Sequence, residues 1–159
     1  MNCQQTIELH FEVQQYMVRY QAILNAQRYN DWFSLFAPDA SYSVINVENL
    51  NEQGMYLLHD DGTEALKERV AWAMGYWQMP KTAMLRTLSN LRLVSDSADT
   101  IECWSSFVGY RTNHDGITEL LVCGQYHDYL MRSSNGLRLT AHEVILENGV
   151  LATGAVHIL

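Results

Sequence analysis

Four long stretches with the alternating character of β-strands fill the C-terminal half of the chain: 83–94, 100–112, 117–132 and 137–146. The turns after them are polar: 95–99, Asn113-His114-Asp115-Gly116, Ser133-Ser134-Asn135-Gly136 and Glu147-Asn148-Gly149. Asp-Gly is a strong hairpin signal, because both residues tolerate the backbone of a tight two-residue turn. Several of these stretches exceed the usual strand of about six residues, and strands of that length must bend. Gly109 and Gly124 lie inside two of them, where a bulge or bend is expected. A run of consecutive antiparallel strands of this kind predicts a strongly curved sheet. Residues 155–159 are a candidate last, short pairing segment.

The first half reads differently. Over 6–25, Leu9, Val13, Tyr16, Met17, Tyr20, Ile23 and Leu24 fall on one stripe of a helix. Asn30 is a suitable N-cap for a second, short helix, with Asp31 in its first turn and Trp32, Leu35 and Phe36 on one apolar face. Pro38-Asp39 ends that helix in a turn, and a strand is expected over 42–47. The polar stretch 48–54 reads as a loop. Thr63 then caps a third helix whose stripe is Leu66, Val70, Ala73, Met74 and Trp77, closed by Pro80. Asp60 and Asp61, just ahead of it, suit the helix dipole better than a metal pair. Helices followed by a long meander give an α+β cone, with helices laid across the mouth of a curved, mainly antiparallel sheet. Neither a linker nor a repeat interrupts the 159 residues, so a single domain over 1–159 is expected.

Composition narrows the function. The net charge of −8 makes nucleic acid and anionic membranes poor partners. No apolar run approaches the roughly 18 residues of a membrane span, and the first residues lack the basic and apolar regions of a signal peptide. Cys3, Cys103 and Cys123 are odd in number and far apart, as expected of reduced thiols in the cytoplasm. Apolar residues make up 48% and charged residues only 18%, which points to a permanent interface.

No stretch carries an obvious reaction centre. None of the three cysteines has a histidine at Rieske spacing. His127-Asp128 and His142-Glu143 are neighbours on strands, so their side chains point to opposite faces and neither pair can chelate. His10, His59, His114 and His157 are scattered. There is no G-x-S-x-G and no glycine-rich phosphate loop. Acid–base chemistry has more material. Tyr16, Tyr20, Trp32, Phe36, Tyr42, Trp104, Tyr126 and Asp128 are expected to line the cone, with His127 and Tyr129 nearby. A carboxylate facing that cavity would be raised by desolvation, which suits a general base. Hydrogen bonds and ion pairs across strands account for the same set without catalysis.

The chain resembles the small, or beta, subunits of aromatic-ring-hydroxylating dioxygenases. Trp32, Leu35, Phe36, Asp39, Ala40 and Tyr42 match the family pattern D-x-W-x-x-L-F-x-x-D-A-x-Y, with Asn30 in place of the leading acid. Leu88-Ser89-Asn90-Leu91-Arg92-Leu93 is similar to its V-S-N-V-R-V strand. Phe107-Val108-Gly109-Tyr110-Arg111, Gly124 to Leu130 and Gly136-Leu137-Arg138-Leu139 are similar to F-x-x-Y-R, G-x-x-x-D-x-L and G-W-R-I. Arg86 stands where many members have His, and Leu137 replaces a common Trp. The resemblance implies a cone of the nuclear-transport-factor-2-like (cystatin-like) type without catalytic, cofactor-binding or metal-binding residues of its own. It implies a partner alpha subunit carrying a 2Fe–2S Rieske cluster and a non-haem Fe(II), fed with electrons from NAD(P)H. It further implies three alpha and three beta chains, the beta chains associating as a trimer. The stretch 49–58 resembles members acting on aromatic carboxylates. A stand-alone cone-fold isomerase or dehydratase, and a binding protein for a small ligand, remain the alternatives.

Overall fold

The computed structural model describes residues 3–75, 83–97, 99–147 and 158–159. Helix α1 spans Cys3–Asn25 and α2 spans Tyr29–Phe33; β1 covers Phe36–Asn46, α3 Val47–Asn51 and β2 Leu58–Asp61. Then come α4 (Gly62–Gly75), β3 (Ala83–Asp96), β4 (Ile101–Thr112), β5 (Thr118–Ser133) and β6 (Gly136–Leu146). The six strands form one sheet in the order β2-β1-β6-β5-β4-β3. Strands β3 to β6 are the expected antiparallel meander. The N-terminal pair is attached to it by a parallel contact, β1 against β6, running from Tyr42–His142 to Asn46–Leu146. The expected stripe residue Trp77, the closing Pro80, the turn residues Asn148 and Gly149 and positions 155–157 of the expected last pairing segment lie outside the described residues.

The α1 stripe behaves as its spacing demands. Leu9, Val13, Tyr16, Met17, Tyr20, Ile23 and Leu24 are all buried in the core, and each such side chain contributes about 1.5–3 kcal/mol relative to exposure. Two polar contacts fix where the helix lies. Tyr16 donates to the Leu35 carbonyl at 2.6 Å and accepts from the Leu139 amide at 3.2 Å, tying α1 to both β1 and β6. Asn25 accepts from the Arg86 amide at 2.8 Å and donates to the Arg86 carbonyl at 3.0 Å, occupying the free backbone groups of edge strand β3. That two-sided amide contact mimics a strand neighbour.

The stretch 28–46 corrects several expectations. Arg28, not Asn30, occupies the N-cap position of α2, and no side chain caps it. The helix stops at Phe33, so Leu35 is buried from the turn that follows and Phe36 from extended backbone, rather than from a helical face. Pro38 lies within β1, not in a helix-ending turn. The β1–β6 register shifts between Phe36 and Ser41, so the missing N–H of proline costs no ladder bond there. Residues 47–51 form a short helix instead of a loop, because the Asn46 side chain accepts from the Asn49 amide at 2.7 Å. Helix α4 begins at Gly62, and Thr63 donates its hydroxyl to the Pro38 carbonyl at 2.6 Å rather than capping. Asp60 belongs to strand β2 and holds Arg69 through two oxygens, at 2.8 and 3.2 Å, so it serves an ion pair and not the dipole. Met74 is exposed, off the α4 stripe of Leu66, Val70 and Ala73.

All of the long helices pack on one face of the sheet, which becomes the interior of the cone. Burial alternates along β4, with Ile101, Cys103, Ser105 and Phe107 facing inward and Glu102, Trp104, Ser106 and Val108 half-exposed on the other face. Among the described residues no helix is long and apolar enough to cross a membrane.

The two strand glycines serve different ends. A register shift falls between Gly109 and Tyr110, as a bulge requires. At Gly124 a Cβ would collide with the Ile145 carbonyl oxygen and stand 3.0 Å from its carbon, so glycine lets β5 and β6 approach. We expect Gly124→Ala to cost about 2–3 kcal/mol in a urea unfolding titration, through forced separation of the two backbones. An unchanged midpoint would show that β6 yields without penalty.

Candidate functional site

The interior of the cone holds a continuous polar network among aromatic rings. Asp128 on β5 and His142 on β6 face each other directly across the ladder, and both are buried. The Asp128 Oδ1 meets His142 Nδ1, and His142 Nε2 lies 3.0 Å from the Tyr20 hydroxyl. Tyr20 in turn donates to the Leu159 carbonyl at 2.9 Å. A phenol has one proton to give. With that proton on Leu159, the Tyr20 oxygen accepts from His142, which places a proton on Nε2. A second proton lies between Nδ1 and the carboxylate, so the Asp128–His142 pair carries no net charge.

Other side chains converge on the same chain segment. Tyr42 accepts from the Leu159 amide at 3.1 Å, and Arg86 Nη2 donates to the Ile158 carbonyl at 2.5 Å. Gln21 donates to the Tyr126 hydroxyl at 3.3 Å. Rings close the gaps: Tyr42 stacks on His142 at 5.8 Å, Phe107 on Tyr126 at 4.2 Å, and Trp32 stands edge-on to Phe36 and Tyr42. Burial is the main cause that pushes Tyr16, Tyr20 and Tyr126 well above the ordinary phenol range, and it pushes Tyr42 up to about 12. Burial also raises the Cys103 thiol, which faces the same interior. A buried imidazole–carboxylate pair linked to a phenol can hold and relay a proton. In this structure its far end is occupied by residues 158–159.

Of the residues expected to line the cone, Tyr16, Tyr20, Trp32, Phe36, Tyr42, Tyr126 and Asp128 are buried on the helix-covered face. Trp104 is not among them. Its neighbours Cys103 and Ser105 point inward, so strand alternation turns Trp104 to the opposite face, where its ring stacks on His127 at 4.2 Å. His127 and Tyr129 share that outer face. There His127 donates to Glu102 at 2.9 Å, and this bond is the main cause holding the Glu102 carboxyl below its usual range. Glu143 lies 3.7 Å from the other ring nitrogen and accepts from Tyr56 at 3.1 Å. His142, Arg86 and Gln21 are interior residues that the sequence reading missed. The parity of β6 was a usable signal for the first, since His142 shares its face with Val144 and Leu146 while Glu143 takes the other. Among the described residues, no group of three or more His, Cys, Asp or Glu could hold a metal ion.

Residues 19–153 match the protein family described as ring hydroxylating beta subunit. The chain is similar to the small subunit of anthranilate 1,2-dioxygenase from Burkholderia cepacia, with 24% identity over 96% of this chain and 95% of that one. Among solved structures it is similar to the beta subunit of a proposed aromatic-ring-hydroxylating dioxygenase from Novosphingobium aromaticivorans. That likeness has a TM-score of 0.84 at 21% identity and covers 96% and 97% of the two chains. A further similar structure, also from Novosphingobium aromaticivorans, is a nuclear-transport-factor-2-like protein with a cystatin-like fold, at a TM-score of 0.69, 16% identity and coverage of 98% and 92%. These structural likenesses establish the α+β cone.

The buried tyrosines make the fold sensitive to alkali. Their folded pKa values are raised above the ordinary 10.0, so the stability they contribute is present below that value and is lost as pH rises from 10 through about 12. Ultraviolet difference spectroscopy should divide the phenols into two groups. The exposed ones titrate in the native protein, whereas Tyr16, Tyr20, Tyr42 and Tyr126 ionise only together with loss of circular dichroism. Normal ionisation of all nine tyrosines in the folded chain would contradict the network.

Proposed function

The chain belongs to the ring hydroxylating beta subunit family, and on that premise we propose that it is the structural, non-catalytic subunit of an aromatic-ring-hydroxylating dioxygenase. In this reading a larger alpha subunit holds the 2Fe–2S Rieske cluster and the non-haem iron and inserts both atoms of dioxygen into an arene. Electrons come from NAD(P)H through a reductase. The beta chain acts as one domain over 1–159 in a cytoplasmic complex of three alpha and three beta subunits, its own copies meeting as a trimer. The arene is an aromatic carboxylate, a reading supported by the 49–58 stretch and by the anthranilate-type relative.

The observation that carries a structural role is the face of the sheet that no described helix covers. Trp104 and Val108 on β4 and Tyr129 on β5 lie half-exposed there, and Leu85 and Val94 on β3 and Leu120 on β5 are exposed. Aromatic and aliphatic side chains on an uncovered sheet face suit a permanent partner, and such contacts usually bury about 2,000 Å² or more. Co-expression with a Rieske-type large subunit, followed by light scattering, should yield a stable hetero-oligomer. A well-behaved monomer that ignores the large subunit would remove this reading.

A second reading, a cone-fold acid–base enzyme, draws on the Asp128–His142–Tyr20 relay. The two separate on one variant. In the structural reading Asp128→Asn loses a buried charge-assisted bond, costs about 1–3 kcal/mol in stability and leaves the turnover of the assembled dioxygenase intact. A drop of several orders of magnitude with assembly preserved would favour the enzyme.

A further inference from the structure

Arg86 is a buried cation that pairs with no side-chain carboxylate among the described residues. Four arginines nearer the surface face a carboxylate, Arg28 with Asp31, Arg69 with Asp60, Arg111 with Glu119 and Arg132 with Asp96, and Arg138 donates to the carbonyls of Ser34 and Phe36. Arg86 is only 3% exposed, its Nη2 meets the carbonyl of Ile158, and its Nε finds no hydrogen-bond acceptor. No carboxylate of the described residues pairs with it. Asp128 shares the interior, but its charge is already neutralised by the proton it shares with His142. A desolvated guanidinium with a spare N–H is a site waiting for an anion, and its fork of donors matches a carboxylate.

The other contacts of residues 158–159 fill in the rest of a ligand. Tyr20 presents a hydroxyl proton to one carbonyl oxygen while Arg86 presents a guanidinium to the next. Ile158 and Leu159, 1% and 3% exposed, place apolar side chains in the same ring-lined core as Trp32, Tyr42, Phe107 and Tyr126. Two neighbouring oxygens held by a cation and a phenol, beside an apolar body among aromatic rings, describe a small aromatic monocarboxylate. We propose that the cone interior is a binding site for such an acid, and that Ile158–Leu159 occupy it as a displaceable stand-in. The acid's carboxylate takes both Arg86 donors and the Tyr20 hydroxyl, and its ring replaces the two aliphatic side chains. The site is independent of the large subunit and of the reaction carried out there.

Benzoate is the probe, and benzamide, of the same shape without the charge, is its control. Thermal unfolding of the full chain should shift upward with benzoate and not with benzamide, and the shift should vanish in Arg86→Gln. In calorimetric titration, a variant lacking Ile158 and Leu159 should bind benzoate about tenfold or more tightly than the full chain, because the competing occupant is gone. An absent shift in the full chain, an equal shift with benzamide, or a folded shortened variant that takes up no benzoate would each overturn the proposal. Should the shortened variant not fold, the benzoate–benzamide contrast on the full chain decides alone.

Discussion

The single hydroxyl proton of Tyr20 sets the arrangement of the interior. It stands between His142 and Leu159, and it can go to only one of them. Given to Leu159, it forces the imidazole to donate in its turn, and that fixes how His142 and Asp128 divide their protons. A buried carboxylate is tolerable only when paired and hydrogen-bonded. The pairing here runs from β5 through β6 to α1 and on to residues 158–159. Four parts of the fold, from the first helix to the last two residues, are thus coupled by one polar chain, and strength in any link depends on the others being formed.

The two faces of the sheet divide the chemistry by parity. Along β5, Tyr126, Asp128 and Leu130 go inward, while Gln125, His127 and Tyr129 go outward. Neighbouring residues of the same chemical type therefore live in different worlds. His142 is sealed among aromatic rings, whereas His127 sits between Glu102 and Glu143 at the margin of solvent. The inner face is finished by the chain's own helices. No described helix covers the outer face.

Much of this was legible in the sequence, and the failures have physical reasons. The α1 stripe and the meander over β3 to β6 could be read because helical spacing, alternation and Asp-Gly or Asn-Gly turns are local signals. The Asp128–His142 pair could not, since two residues from different strands meet only once the register is known. Sequence adjacency instead offered His127-Asp128 and His142-Glu143, whose members strand geometry sends to opposite faces. Trp104 was grouped with the aromatic cone lining, but a strand assigns faces by position, and its position puts it on the other face. Asn30 lost the capping role because the backbone turned into helix two residues earlier. Strand β2 is only four residues long and carries His59, Asp60 and Asp61, so no apolar alternation announced it. Arg86 was noticed as a departure from the family pattern, but a charged residue on an edge strand gives no hint that Asn25 and Ile158 will enclose it.

The parallel contact between β1 and β6 has a consequence in time. One hundred residues separate Ile45 from its partner Ile145, whereas each strand of the meander pairs with the next along the chain. Contacts between distant residues are slow to form because the intervening loop must close first. During synthesis β1 emerges with its partner strand still unmade, able to pair with β2 alone. Until β6 arrives, the aromatic residues of α1, α2 and β1 have no sheet to cover, which makes the first third of the chain the part most exposed to wrong association before folding is complete.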